Sequence, residues 1–445
     1  MKYLTLTFLI FFSSFRVQAQ FLSKAARDSL ARISNYEHHL ELAALGIEKL
    51  RNGANGNDPK APNYVNYLEE KASIYPNLPN PLFTNGRLKV EDAETWWKVR
   101  RPEIVEMFDR EVYGRMPENL PEVDWQVIET KEEQISGQAV VSKRIRGVVD
   151  NSSYPAVAVH IELNLSVPKK QLGKGVPVVM EFSWGFDFRR REGDNSKTWK
   201  EQVVDRGWAF ATLIPTSVQA DNGAGLRSGI IGLCNKGLPR QTDDWGALRA
   251  WAWGGSRAID YFESNPDIDA KRVAIEGHSR YGKAAAVAMA YDTRFAVGFI
   301  SSSGAGGLKL YRRDYGEQVE NVAGTGEFHW MAPNFMKYAG PLSWDDLPVD
   351  AHELLALIAP RPVFVSAGNK GDQWVDPKGM FEAAAEVSPV YTLLGKKALG
   401  TSQFPQVEEG VLDGDLVYRQ HNEGHTPNPN WPYFLDFASR YFEPN

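Results

Sequence analysis

Apolar positions in this chain fall into two textures. Between residues 25 and 51 the sequence is rich in Ala, Leu, Glu and Arg at helical spacing and ends in the breaker GANGNDPKAP, which predicts a helical extension. A further helical stretch, DAETWWKVRRPEIVEMFDREVYG, precedes a different regime. From there, short runs of Val, Ile, Ala and Phe recur at 156–162, 176–182, 208–214, 272–277, 296–301 and 362–367. Several are apolar throughout and do not alternate, as expected of parallel strands covered on both faces. Helical patterns lie between them. In TDDWGALRAWAWGGSRAIDYFES, Thr242 or Asp243 is placed to cap, and Trp245, Leu248 and Trp251 share a face. The alternation predicts a three-layer αβα sandwich on a mostly parallel sheet. In such a sheet, chemistry sits at the carboxyl ends of the strands.

The first twenty residues, MKYLTLTFLIFFSSFRVQAQ, read as a secretory signal: Lys2, an apolar run too short to span a bilayer, then the small-x-small pattern of Val17-Gln18-Ala19. The expected division is therefore a signal peptide over 1–19, a helical extension over 20–80 and a catalytic domain over 81–445. Removing Lys2 and Arg16 takes the net charge from −6 to −8, which disfavours nucleic acid as a partner. No later segment is apolar enough for a membrane helix, so an exported or periplasmic soluble protein is expected. Cys234 is the only cysteine, which rules out an internal disulfide. Thirteen tryptophans could supply platforms for sugars, although most are expected in the core.

Candidate chemistry follows two of these runs and a further short predicted strand, 416–419. After 272–277 comes EGHSRYGK, where Gly277 precedes Ser279 as in a nucleophile elbow, but the second glycine, Gly282, comes one residue later than in Gly-x-Ser-x-Gly. After 362–367 comes GNKGDQWVDP with Asp372, and after 416–419 comes QHNEGHTPNP with His425. Serine, acid and histidine thus stand in α/β-hydrolase order. A hydroxyl needs an imidazole to take its proton, and the imidazole needs a carboxylate to fix its tautomer. Asp376 and His421 are the rival acid and histidine. Adjacent His38 and His39 point in different directions on a helix and are expected to be solvated, not a metal pair. SSSGAGG lacks the glycine a dinucleotide turn needs at Lys309, and GAGLRSGIIG reads as a loop wall. No cofactor or metal is expected.

Arg280 follows the serine directly and Lys283 lies one helical turn on. Two cations beside a developing oxyanion suit a substrate with many hydroxyls or a sugar carboxylate. The plain alternative is that both pair with nearby acids.

HSRYGK resembles the Ser-Arg-x-Gly-Lys elbow of the glucuronoyl esterases, which cleave esters between lignin alcohols and the 4-O-methylglucuronic acid of xylan. The likeness extends from DDWGALRAWAWGG to DTRFA and includes SGAGG, RRDYGE, DQWVDPKG and EGHT, covering the chain from about Pro81 onward. The resemblance implies an α/β-hydrolase fold, a Ser279 nucleophile, a His425 base and an Arg280 contribution to the oxyanion hole. It also implies sugar contacts from Lys283, Trp374, Glu327 and Glu317, and plant glucuronoxylan or lignin–carbohydrate esters as substrate. Many members carry the triad acid as a glutamate where Ser302 stands here, which leaves Asp372. The loop WGFDFRRREGDN after Phe182 also departs from the family. An esterase for acetylated xylan, or an inactive hydrolase that only binds carbohydrate, are the competing expectations; a peptidase has the triad in its favour but no visible specificity pocket.

Overall fold

The computed structural model describes residues 23–72, 75, 77–185 and 196–443. The predicted signal peptide, and residues 186–195 of the divergent loop, lie outside them. A ten-stranded sheet organises the chain: β1 (Val123–Ile135), β2 (Gln138–Val149), β3 (His160–Pro168), β4 (Val176–Phe182), β5 (Ala209–Leu213), β6 (Ile268–His278), β7 (Val297–Ser301), β8 (Val363–Gly368), β9 (Gly410–Val411) and β10 (Leu416–His421). Their spatial order is β1-β2-β3-β5-β4-β6-β7-β8-β10-β9. From β5 to β10 every neighbouring pair is parallel, whereas β1, β2, β3 and β9 are antiparallel to their neighbours.

The parallel strands are buried on both sides because helices cover both. Principal helices are α1 (Lys24–Ala44), α2 (Trp199–Asp205), α3 (Ala247–Ser264), α4 (Arg280–Tyr291), α5 (Ala351–Ile358), α6 (Pro377–Glu386) and α7 (Trp431–Phe442). Alternate strand residues sort between two cores. Val178, Met180, Ile275, Ile300 and Val365 pack beneath α3, α4 and α5. Val179, Ala274, Phe299 and Phe364 meet α2 and α7, where Trp199 and Trp431 stack at 4.6 Å. This is the three-layer α/β-hydrolase architecture.

Three details differ from the sequence pattern. The β1–β2 hairpin has no counterpart among the predicted strands, because β1 carries mostly exposed charged positions that hide its alternation. The run at 156–162 becomes strand only from His160, since Asn151 and Pro155 build a turn that its amide closes onto Val157 O at 3.0 Å. Helix α3 begins at Ala247 with Gly246 as cap, not at Thr242 or Asp243. The chain must first pass under Trp330, so close that a Cβ on Gly246 would lie 2.1 Å from the Trp330 carbonyl oxygen.

Helix α1 docks on the domain and has no core of its own. Leu42, and Ile47 just beyond the helix, join the main cluster. Glu41 meets buried Arg240 through two hydrogen bonds of 2.9 and 3.0 Å. His38 is buried, contrary to the solvated histidine expected from sequence: its Nε2 lies 3.0 Å from Ala323 O and its ring packs edge-on to Phe328. The helix face that carries it is covered by the 323–328 turn, which periodicity could not anticipate; His39 remains exposed. Beyond the helix the extension is largely irregular to residue 80.

Removing one partner of a buried ion pair strands the other charge. Glu41→Ala is therefore expected to lower stability by about 3–5 kcal/mol, read from the guanidinium midpoint. A loss below about 1 kcal/mol would mean that Arg240 is held by other groups.

Candidate active site

The turn from β6 into α4 places Ser279 at φ 61° and ψ −130°, a region that costs a non-glycine residue about 1–3 kcal/mol. Two close approaches hold it there. A Cβ on Gly277 would lie 2.1 Å from Tyr281 O, and one on Gly282 would lie 2.7 Å from Ser301 O. The late glycine is thus the one that lets the first turn of α4 press against the end of β7. Ser279 N donates to Ser301 O at 2.9 Å, and Lys283 N to Ser279 O at 3.1 Å. The hydroxyl therefore projects from a rigid turn beside a helix N-terminus, where unpaired N–H groups and the helix dipole favour negative charge.

Asp372 and His425, distant in sequence, meet beside this turn. His425 Nδ1 lies 2.6 Å from Asp372 Oδ1. A carboxylate can only accept, so Nδ1 carries the proton and Nε2 is left with its lone pair. The other carboxylate oxygen accepts from Gly368 N and from Ser302 Oγ, each at 2.7 Å. Asp372 is buried, while about two-fifths of the His425 side chain is exposed. Beneath it, at 4.3 Å between ring centres, lies His278, immediately before Ser279 in the chain. Burial, reinforced by His425 and His421, holds the His278 imidazole well below its ordinary pKa, so it is a neutral floor.

The rivals are occupied elsewhere. Asp376 caps α6 through Gly379 N and faces Arg313 at 2.9 Å, with burial pushing its carboxyl up to about 6. His421 uses Nε2 toward Thr426 O and Nδ1 to accept from Glu423 N, tying the loop that presents His425.

Both cations of the elbow have acidic partners. Arg280 donates to Asp221 Oδ2 at 2.5 Å, with its guanidinium 5.1 Å from the Trp184 ring centre and 5.2 Å from that of Trp330. Its Nε is buried with no acceptor among the described residues. Asp221 also accepts from Trp330 Nε1 at 2.7 Å and meets His329 Nε2 at 3.0 Å. Burial alone would raise the Asp221 carboxyl, but the His329 hydrogen bond and the Arg280 charge hold it far below the usual carboxylate range. Lys283 spends its three ammonium donors on Ser303 O, Ala305 O and Glu317 Oε2, at 2.7, 2.7 and 2.8 Å. Glu317 also accepts from Ala305 N. Lys283 and Glu317, both expected to contact a sugar, thus form a buried ion pair that braces the 303–305 turn.

Glu327 differs. Its Oε2 is buried without a hydrogen-bond partner among the described residues. Burial, then the neighbouring Glu317 charge, push its carboxyl up to about 8, so at neutral pH it holds a proton it can donate. Trp374 is half-buried on the turn that follows Asp372, and its carbonyl accepts from Glu317 N at 2.7 Å. Asp221, His278, Trp184 and Trp330 were missed: His278 stands in the elbow motif itself and Trp184 in the divergent loop, but nothing local shows which of these side chains face the site.

Known carbohydrate esterases are similar to this chain over most of its length. A carbohydrate esterase of an unknown prokaryotic organism is 30% identical over 409 residues, covering 85% of this chain and 93% of its own. A solved glucuronoyl esterase from Teredinibacter turnerae T7901 is 45% identical, with a TM-score of 0.86, covering 92% of this chain and 100% of its own.

This chain belongs to the glucuronoyl esterase family.

A second solved member, from Solibacter usitatus, is 33% identical with a TM-score of 0.74 over 84% of this chain and 100% of its own. The family profile described as fungal glucuronyl esterase matches residues 198–395. A protein of Schizophyllum commune named 4-O-methyl-glucuronoyl methylesterase is 28% identical over 365 residues, 80% of this chain and 82% of its own. Family membership makes the chain a carboxylic ester hydrolase.

Two outcomes follow from the buried charges. Lys283→Met should destabilise the fold by about 3–5 kcal/mol by stranding Glu317, and adding Glu317→Gln should recover much of the loss in denaturant melts. An equal loss in single and double variants would argue against the pair as the cause. Because the Glu327 carboxyl is raised, its contribution to stability is complete below pH 4.5 and fades as pH rises to about 8. Glu327→Gln should therefore gain stability relative to the wild type between pH 5 and pH 8 and level off above. A gap that is constant with pH would contradict this protonation state.

Proposed function

We propose that this chain is an exported serine esterase that hydrolyses esters of glucuronic acid, including its 4-O-methyl form, where they join glucuronoxylan to lignin alcohols. The observation that carries the mechanism is the 2.6 Å Asp372–His425 hydrogen bond beside the strained Ser279 elbow. His425 Nε2 takes the Ser279 proton as Oγ attacks the ester carbonyl. The oxyanion forms against the N-terminus of α4, where the Arg280 backbone N–H and the guanidinium held by Asp221 offer positive charge. Collapse breaks the ester C–O bond, and the alcohol leaves with the proton from His425. Water, deprotonated by the same imidazole, then attacks the acyl-enzyme, releasing the uronate and restoring the serine.

The sugar reading is supported by the names of the relatives and by the groups around the elbow. Protonated Glu327 can donate to a sugar hydroxyl, and Trp374 offers a flat apolar face. Lys283 and Glu317 complete the sugar contacts of this reading, and their ion pair also holds the floor beside the elbow. Export rests on the residue pattern of 1–19; among the described residues no helix is long and apolar enough to cross a membrane.

The deciding experiment compares benzyl glucuronate with para-nitrophenyl acetate for the wild type, Ser279→Ala and Asp372→Asn. Strong preference for the glucuronate ester, abolished by Ser279→Ala, is expected. Asp372→Asn should lower kcat by about 10⁴-fold with little change in sugar affinity, as loss of the orienting acid does in serine hydrolases. Preference for the acetate ester would keep the serine chemistry and discard the uronate. Activity on neither, with sugar binding intact, would instead point to a carbohydrate-binding relic.

A further inference from the structure

The extension that precedes the catalytic domain does more than dock. Residues 54–67 run alongside Trp374 and leave between them an open groove of about 640 Å³, within the range of small-molecule sites. Its walls carry four side-chain amides, from Asn55, Asn57, Asn63 and Asn321, and two aromatic rings, from Tyr67 and Trp374. No charged side chain lines it.

The groove is built in advance. Asn321 clamps the strand-like wall at both backbone groups of Ala54, donating from Nδ2 to its carbonyl at 2.9 Å and accepting from its N–H at 3.1 Å. Asn63 Nδ2 donates to Gly53 O at 2.6 Å, and Asn55 Oδ1 accepts from the N–H groups of Asn57 and Asp58 at 2.9 and 3.0 Å. Gly56 lies so near the indole that a Cβ there would sit 3.0 Å from the Trp374 ring. Tyr67 is fixed by edge contacts to Tyr64 and Tyr315. Several polar groups stay open within this rigid frame. The Asn57 amide, Asn55 Nδ2 and Trp374 Nε1 have no hydrogen-bond partner among the described residues.

We propose that this groove is a subsite for the neutral pyranoside chain that carries the esterified uronate; the identity of that chain rests on the function proposed above. Amides donate and accept at once, as hydroxyls do, so an amide-lined wall matches a polyol without selecting charge. The aromatic faces meet the C–H faces of sugar rings. A phosphate or acidic ligand would find no cation here, and an acyl chain would leave the amides unsatisfied. Trp374 connects the groove to the reacting centre: it lies two residues after Asp372, and its carbonyl is held by the N–H of Glu317. A uronate branch at the elbow can thus continue into a backbone lying across residues 54–67. The extension would then set the preference for polymer over free ester.

The test uses two readouts on the full chain. Calorimetric titration with a linear xylo-oligosaccharide bearing no uronate measures the groove alone. Wild type should bind it, and Asn57→Ala and Tyr67→Ala should weaken binding by about tenfold, the size expected for one lost contact. Rates on benzyl glucuronate should be unchanged in both variants, which also shows that they fold, whereas kcat/KM on a glucuronate ester carried by a xylo-oligosaccharide should fall by a similar factor. No oligosaccharide binding by the wild type, unchanged binding in both variants, or equal losses on the two esters would overturn the subsite. Binding that depends on Asn57 without hydrolysis of either ester would uphold the groove and sink the esterase reading.

Discussion

The carboxylate of Asp372 is the point on which the site hangs. It closes the end of three neighbouring strands at once: β8 through Gly368 N, the exit of β7 through Ser302, and the loop after β10 through His425. Each contact is a hydrogen bond to a buried anion, of the kind that is shorter and stronger than a neutral one. Losing the hydroxyl of Ser302 or the amide of Gly368 would leave the acid free to turn. The imidazole would then lose both its tautomer and its place above the elbow. Ser302, at the exit of β7, thus steadies an acid supplied from the next strand.

Charge is handled in the same economical way around the nucleophile. Taking a cation out of water is costly unless an acid and additional hydrogen bonds meet it. Arg280 has Asp221, itself held by His329 and Trp330, and Lys283 has Glu317 and two backbone carbonyls. The result is a cleft whose positive groups are fixed before any substrate arrives, which is the condition for stabilising an oxyanion without reorganisation. Glu327 is the exception among the acids. Buried, and crowded by Glu317, its carboxyl is pushed up to about 8, so at neutral pH it adds a donor without adding a charge.

The N-terminal extension fits the same logic. Its helix is pinned by the Glu41–Arg240 pair and by buried His38, and the irregular segment beyond it forms one wall of a polar groove at Trp374. A segment that could have been a passive appendage shares the domain's core and borders its site.

Much of this was readable from residue order. Continuous apolar runs located β4 to β8 and β10 because strands covered on both faces have no polar side to hide. Gly277, Ser279, Asp372 and His425 were visible since each follows such a run at a strand's carboxyl end. Other features were beyond local pattern. The β1–β2 hairpin is solvated and its charges mask its alternation; the start of α3 is set by contact with Trp330; and His38 is buried by a turn nearly three hundred residues away. Likewise, only the fold could show that Asp372, and not Asp376, meets His425, or reveal that Arg280 and Lys283 are both paired. The sequence by itself determined the layers and the residue types at the strand ends, since these follow from local periodicity and backbone sterics. Tertiary structure alone decided which acid meets which base, because that depends on distances between segments far apart in the chain.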